Sequence, residues 1–289
     1  MIMRTDFAVF VLSHGRADKM TTIKSLQKSG YTGQYYIILD NEDDQIQAYE
    51  KRFGKEHIIV FDKQEVGKTF DIMDNFEGRQ VVTFARNAVY DIANRLGLKY
   101  FFEADDDLLN YRHRYVDDSG SLRTKYITNM DAIFTEYLDY MDNSNIDILA
   151  FGQTGDLISG KDSKLYKNGY VRKAMQGFFV RVSNRMPFVG RFNDDVNSYV
   201  NNGKQGYVII TYRDVIMDTA ETQVQKGGIS DMYKKYGTYV KSFYSVILDP
   251  SCVKISTMGD NLVNMHHRIH HLINWNNAVP KIVSGRYKK

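Results

Sequence analysis

Apolar residues fall in short unbroken runs along the first hundred positions of the chain. FAVFVL (7–12) is one run of strand length, YYIILD (35–40) a second that ends in Asp40, HIIVF (57–61) a third and KYFFEA (99–104) a fourth. Unbroken apolar runs of this length fit strands buried on both faces. Between the runs the period changes. In SHGRADKMTTIKSLQKSGY, Ile23, Leu26 and Gln27 fall at helical spacing and Gly30 supplies a stop. EDDQIQAYEKRFG reads as a short polar helix ending at Gly54. In QVVTFARNAVYDIANRLG (80–97), Val82, Ala85, Val89, Ile92 and Leu96 line one stripe before Gly97. Strand and helix alternate, which predicts an α/β fold with a Rossmann-like, mainly parallel sheet covered by helices on both faces.

The second half is less regular. DAIFTEYLDYM (131–141) reads as a helix, IDILAFG (146–152) and AMQGFFVRV (174–182) as strands, and DVNSYVNNG (195–203) as a short helix with a glycine stop. YVIIT (207–211) and YVKSFYSVIL (239–248) have strand character. No repeat, low-complexity segment or linker interrupts the chain. Residues 1–289 are therefore read as one domain, with a 1–150 half and a 151–289 half.

Composition narrows the picture. An apolar content of 43% with 25% charged residues fits a buried core, and three prolines are too few for a stiff linker. The single cysteine, Cys252, excludes an intramolecular disulfide and fits a reducing cytoplasm. No apolar run approaches the length of a membrane span. The first run ends in Ser13-His14-Gly15-Arg16 rather than a small-residue cleavage site, so it reads as a core strand and not a signal peptide. A net charge of +3 does not by itself diagnose a nucleic-acid binder.

The candidate chemistry sits at strand ends. In parallel sheets ligands bind beyond the carboxyl ends of the strands, and right-handed connections gather those ends along one edge. Ser13–Arg16, Asp40–Asp44 and Asp105–Asp107 each follow a strand. Asp105 and Asp107, flanking Asp106, can share one hard cation such as Mg²⁺ or Mn²⁺; the bland alternative is a solvated acidic turn. Ser13 and Gly15 let backbone approach a ligand and Arg16 offers a planar donor, or else this is an ordinary turn and helix cap. This segment lacks the GxGxxG spacing of a dinucleotide fingerprint and the GK[ST] ending of a P-loop. Arg86, beside Asn87 in FARNAVYDIA, is either a surface arginine or a nucleotide contact. Asp194 and Asp195 either cap a helix or supply a general base.

MHHRIHH carries His266, His267, His270 and His271. The i,i+4 pairs would form a clasp on a helix, but no HExxH glutamate or cysteine cluster accompanies them. One of these histidines completing the aspartate shell is more economical. YRHRY (111–115) and KDSKLYKNGYVRK (161–173) are basic with interleaved aromatics, fit either for phosphate and an unstacked base or for exposed loops.

FVLSHGRADKMTTIKSLQKSGY, YIILDNEDD and ARNAVYDIA…LGLKYFFEADDD together resemble the nucleotide-binding half of a GT-A glycosyltransferase. NDDVNSYV, TQVQKGGISDMYKKYGTYVKSFYSVILDPSCVKI and HHRIHH are similar to the phage TET-associated glycosyltransferases. These are linked to sugar addition on hydroxymethylated pyrimidines, such as 5-hydroxymethylcytosine, in phage DNA. The resemblance implies a GT-A-like fold, with nucleotide-sugar binding in residues 1–150 and the acceptor side in 151–289. It implies a UDP-linked sugar donor and Mn²⁺ or Mg²⁺. Asp105 and Asp107 match its metal-binding aspartates, with Glu103-Ala104-Asp105 an alternative register, and His267 is the favoured late ligand. Ser13, His14, Gly15, Arg16, Asp40, Arg86 and Asp106 fall at nucleotide-side positions. Asp194 and Asp195 fall where an inverting enzyme keeps its base, although Asn-Asp-Asp stands where many relatives have Glu-Asp. The implied setting is the cytoplasm, that of the host for a phage protein, with DNA as partner and no membrane. A polysaccharide or lipid-linked acceptor, or an inactive nucleotide- or DNA-binding module, competes with this assignment.

Overall fold

The computed structural model describes residues 4–79, 81–157, 159–219, 229–237, 239–259, 267–281 and 285. In chain order the first half contains β1 (Phe7–Leu12), α1 (Thr22–Lys28), β2 (Tyr35–Asp40), α2 (Ile46–Phe53), β3 (Ile58–Phe61), α3 (Lys63–Gly67), α4 (Thr83–Arg95) and β4 (Tyr100–Asp105). Then come β5 (Leu108–Val116), β6 (Leu122–Tyr126), α5 (Met130–Asp142), β7 (Ile148–Gln153), α6 (Lys164–Asn168), β8 (Tyr170–Val171) and β9 (Gly177–Arg181). The chain continues with α7 (Asp194–Gln205), β10 (Ile209–Thr219), α8 (Ile229–Tyr236), α9 (Val240–Leu248), β11 (Val253–Gly259) and β12 (His267–Ile273).

One sheet runs β3-β2-β1-β4-β9-β7-β10-β5-β6, with β8 beside β10; β11 and β12 form a separate antiparallel pair. The β3-β2-β1-β4 block is parallel, as is β7 with β10, in line with the α/β expectation. β9 runs antiparallel between β4 and β7, so the sheet draws strands from both halves of the chain.

β1 explains why its run is apolar throughout: all six residues are buried. Successive side chains of a strand point to opposite faces. Phe7, Val9 and Val11 pack with Ile23 and Leu26 of α1 and Phe134 and Leu138 of α5. Ala8, Phe10 and Leu12 pack with Phe84, Val89 and Ile92 of α4 and Val196 and Val200 of α7. Burying each such side chain fully contributes about 1.5–3 kcal/mol, which makes the centre of the sheet the stable platform for its edge. Helix ends follow local chemistry. Asp62 caps α3 by accepting from the N–H groups of Gln64 and Glu65, and Asn129 caps α5 by accepting from that of Ala132. Gly30, at φ +85°, closes α1 where an added Cβ would strike the Thr128 carbonyl, so the turn requires glycine.

Three local expectations are corrected. YVKSFYSVIL is not a strand but α9, which lies against β11 and β12; its buried positions are Ser242, Tyr244 and Ser245, while Phe243 and Ile247 are exposed, so tertiary context overrides strand propensity. YRHRY is not a loop but the centre of β5, whose neighbours are β10 and β6. From His267 on, the histidine segment is a strand and not a helix, paired along β11 from Gly259↔His267 to Val253↔Ile273, so the His267/His271 helical clasp does not form. Among the described residues, no helix is long and apolar enough to cross a membrane.

Candidate active site

Register brings the polar clusters together. Leu12 of β1 lies opposite Asp105 of β4, and Asp40 of β2 opposite Phe61 of β3. The residues that follow these strand ends therefore meet at one edge, as the topology requires. Ser13 Oγ donates to Asp106 Oδ2 at 2.5 Å, and Arg16 Nη1 donates to Asp106 Oδ1 at 3.0 Å. His14 Nδ1 lies 2.8 Å from Asp40 Oδ2, and the Gly15 N–H donates to Asp43 Oδ2 at 2.8 Å. Gly15 has φ +64° and open space where a Cβ would stand, which leaves the backbone accessible to a ligand.

The three adjacent aspartates have different surroundings. Asp106 is buried and neutralised by Arg16, while its carbonyl accepts from the Thr21 N–H at 3.0 Å; it holds β4 to the start of α1. Asp107 has one carboxylate oxygen shielded from solvent without a hydrogen-bond partner. Burial and the neighbouring Asp106 raise its pKa above the usual carboxylate range. Asp105 is raised well above that range by desolvation, against the pull of Arg86 and with repulsion from Asp107. An orphaned Asp107 oxygen beside the repelling Asp105 carboxylate fits a hard divalent cation. Among the described residues no three His, Cys, Asp or Glu side chains converge on one point. Among the described residues an ion here would meet Asp105 and Asp107 alone, and Mg²⁺ commonly fills the rest of its shell with water and substrate oxygens.

Arg86 is neither exposed nor open toward the cleft. It is buried under β4, where its Nε donates to Glu103 Oε1 at 2.9 Å and its Nη1 to Asp194 Oδ2 at 2.8 Å; Nη2 lies 3.7 Å from Asp105. Rings of Phe178 and Phe188 lie against the guanidinium. This arginine joins the acidic turn after β4 to the start of α7. Burial pushes Glu103 up to about 7 despite Arg86, and burial likewise raises Asp194. The helix cap is Asn193, in the left-handed region at φ 53°, so Asp194 and Asp195 are the first residues of α7 rather than its cap. Asp194 is buried and paired; Asp195 is half-buried, with Oδ1 accepting from the Val196 N–H at 2.7 Å.

His266 and the side chain of His267 lie outside the described residues. His271 is the late histidine near α7: its Nδ1 is 3.2 Å from Asn193 Nδ2, and its ring lies 4.2 Å from that of His270. Burial, His270 and Lys241 push its pKa down to about 4, so the ring is neutral at pH 7.

Several site residues escape a sequence pattern. Lys63, 1% exposed, places Nζ 3.1 Å from Asp40 Oδ1. Tyr49 Oη is 2.7 Å from Ser13 Oγ and accepts from the Arg16 N–H at 2.8 Å. Glu103, read from sequence only as part of an alternative metal register, is buried in β4 as the partner of Arg86. Lys63 had one available signal: it stands two residues past the third strand, at the edge where the other clusters gather. Lysine is so seldom fully buried that its type argued against it.

Comparison with known proteins adds to the geometry. No curated protein sequence matches significantly. Among solved structures, the chain is similar to glucosyl-3-phosphoglycerate synthase from Mycobacterium tuberculosis in complex with Mg²⁺ and UDP, at 8% identity and TM-score 0.47, covering 92% of this chain and 87% of that one. It is similar to a mycobacterial protein at 9% identity and TM-score 0.44, covering 92% and 83%. It is also similar to S. aureus TarS 1–349 at 10% identity and TM-score 0.38, covering 83% and 65%. These likenesses are distant. The match that decides the matter is to the TET-Associated Glycosyltransferase family over residues 7–228, which takes in the strand-end edge, Arg86 and both acidic pairs. The chain belongs to that family and is a glycosyltransferase.

Proposed function

We propose that this glycosyltransferase moves a sugar from a UDP-linked nucleotide-sugar to a hydroxymethylated pyrimidine in phage DNA. The observation that carries the donor side is the meeting of Ser13–Arg16, Asp40–Asp43 and Asp105–Asp107 at one sheet edge. Asp40, paired with His14, and the open backbone at Gly15 suit a nucleoside, and Arg16 beside Asp106 suits its phosphates. Asp105 and Asp107 would hold Mn²⁺ or Mg²⁺, with His267 the favoured third ligand. Such an ion, when bound, acts as a Lewis acid that neutralises charge on a departing diphosphate.

Asp195 is the better general base of the acidic pair, because Asp194 is already held by Arg86. Its role is to accept the proton of the acceptor hydroxyl as the new glycosidic bond forms. Arg86 positions the start of α7 relative to the turn after β4. Family membership supports the DNA acceptor, and a base in a duplex must leave the stack to reach such a site.

The test is mass spectrometry of a duplex containing 5-hydroxymethylcytosine after incubation with UDP-sugars, with and without Mn²⁺. A Mn²⁺-dependent mass gain of one sugar is expected. UDP-sugar hydrolysis with no gain on the duplex would overturn the acceptor. No turnover of any nucleotide-sugar would overturn the donor.

A further inference from the structure

The β5–β6 hairpin carries a charge arrangement that the reaction centre does not use. Arg112 and Arg114 stand two residues apart on β5 and so share one face of the sheet. The Nε atoms of both are shielded from solvent and lack a hydrogen-bond partner. A single carboxylate, Asp218 of β10, pairs with Arg112, and it also accepts from Thr154 Oγ1 at 3.0 Å. Among the described residues Arg114 has no ion pair. Burial and repulsion from Arg112 lower its pKa. Edge protection does not account for this pair. The edge strand is β6, which has Arg123 and Lys125 of its own, whereas β5 lies between β10 and β6.

Two half-buried like charges with one shared counter-ion have unmet capacity for an anion. The surroundings favour a nucleic acid. Tyr126, 61% exposed, lies directly opposite Arg112 on β6 and so shares its face, with Lys28 Nζ 5.8 Å from the ring centre; Tyr115, adjacent to Arg114, points to the other face. Two guanidinium groups beside one exposed aromatic ring suit a phosphodiester chain with bases. Arg112 and Arg114 lie five and seven residues beyond Asp107, about 17 and 24 Å along an extended chain. A small acceptor seated at Asp105–Asp107 cannot span that distance, but a polymer can.

We infer that Arg112 and Arg114 form a docking pair for the phosphodiester backbone of the acceptor, away from the reaction centre. This rests on the DNA-acceptor function proposed above. The experiment is fluorescence anisotropy of a labelled 5-hydroxymethylcytosine duplex over a KCl series, with UDP binding measured in parallel by calorimetry. Each lost phosphate contact lowers the salt slope of log K by about 0.9, or about eightfold in affinity near 0.1 M salt. Arg114→Gln should show one such loss and the Arg112→Gln/Arg114→Gln double variant about two. UDP affinity should be unchanged, and Arg114→Lys should recover most of the slope. Among the described residues Arg114→Gln removes no ion pair, so it decides the matter even if the double variant fails to fold. Wild-type protein that binds no duplex would overturn the acceptor assignment and this inference with it. Wild-type binding matched by Arg114→Gln in affinity and slope would overturn the docking pair alone. Preference for an acidic polysaccharide over the duplex would also overturn it.

Discussion

Replacing Lys63 by methionine keeps the length of the side chain and removes its charge from beside Asp40. The two groups are 3.1 Å apart and both are buried. At an effective dielectric of about 20 their attraction is about 5 kcal/mol, most of it offset by the desolvation of both ions. Deleting one partner leaves the other buried without that compensation, at a cost of about 3–5 kcal/mol. His14 modulates the cost. Its hydrogen bond to Asp40 raises its pKa above the ordinary value of about 6.5, while burial and Lys63 oppose the rise. For a histidine raised in the folded state, the stabilisation is fully present below the unfolded pKa and is lost as pH rises through the folded one. At pH 5.5, protonated His14 therefore supplies Asp40 with a charge-assisted hydrogen bond of about 1.5–3 kcal/mol. The variant should lose up to about 3–5 kcal/mol at high pH and less at pH 5.5, by urea denaturation with a common m-value. Because Lys63 repels the imidazolium, His14 should titrate at higher pH in the variant, followed by its ring protons in NMR. An equal loss at both pH values, or a lower His14 pKa, would refute the cluster as described.

Asp107→Asn should abolish Mn²⁺-dependent turnover, a larger loss than the roughly 10–100-fold typical of outer-shell partners, in a steady-state assay of UDP release. Asp195→Asn should reduce transfer by about 10²–10⁴-fold while UDP affinity holds, whereas Asp194→Asn should act mainly on thermal stability, since that carboxylate is paired with Arg86. Arg86→Met should lose about 3–5 kcal/mol in urea, because Glu103 and Asp194 remain buried without their cation.

The convergence of polar strand ends was legible in the sequence because it depends on topology. FAVFVL and YYIILD coincide with β1 and β2 to the residue, and once these are parallel neighbours the following residues must converge. What did not show was chemistry set by packing. Lys63 looks like any surface lysine until Asp40 and a Phe84 ring surround it. Arg86 sits on a recognisable helix, but nothing local shows that it turns beneath β4 to Glu103 rather than into the cleft. β5 and β6 alternate charged and aromatic residues and contain no apolar run, so the pairing of β5 with β10 and of β6 with β5 was invisible to a search for such runs. The late histidines repeat at three and four residues, a helical cue that pairing with β11 overrules.

Between β4 and β5 the chain has only Asp106 and Asp107, and Asp106 is fastened to Ser13, Arg16 and the Thr21 amide. There is no slack at this junction. A load applied to the hairpin is borne by the same two peptide units that carry the carboxylates, while the fastened one resists displacement toward α1. Lengthening that link by a single glycine would decouple the two regions without altering any side chain in either.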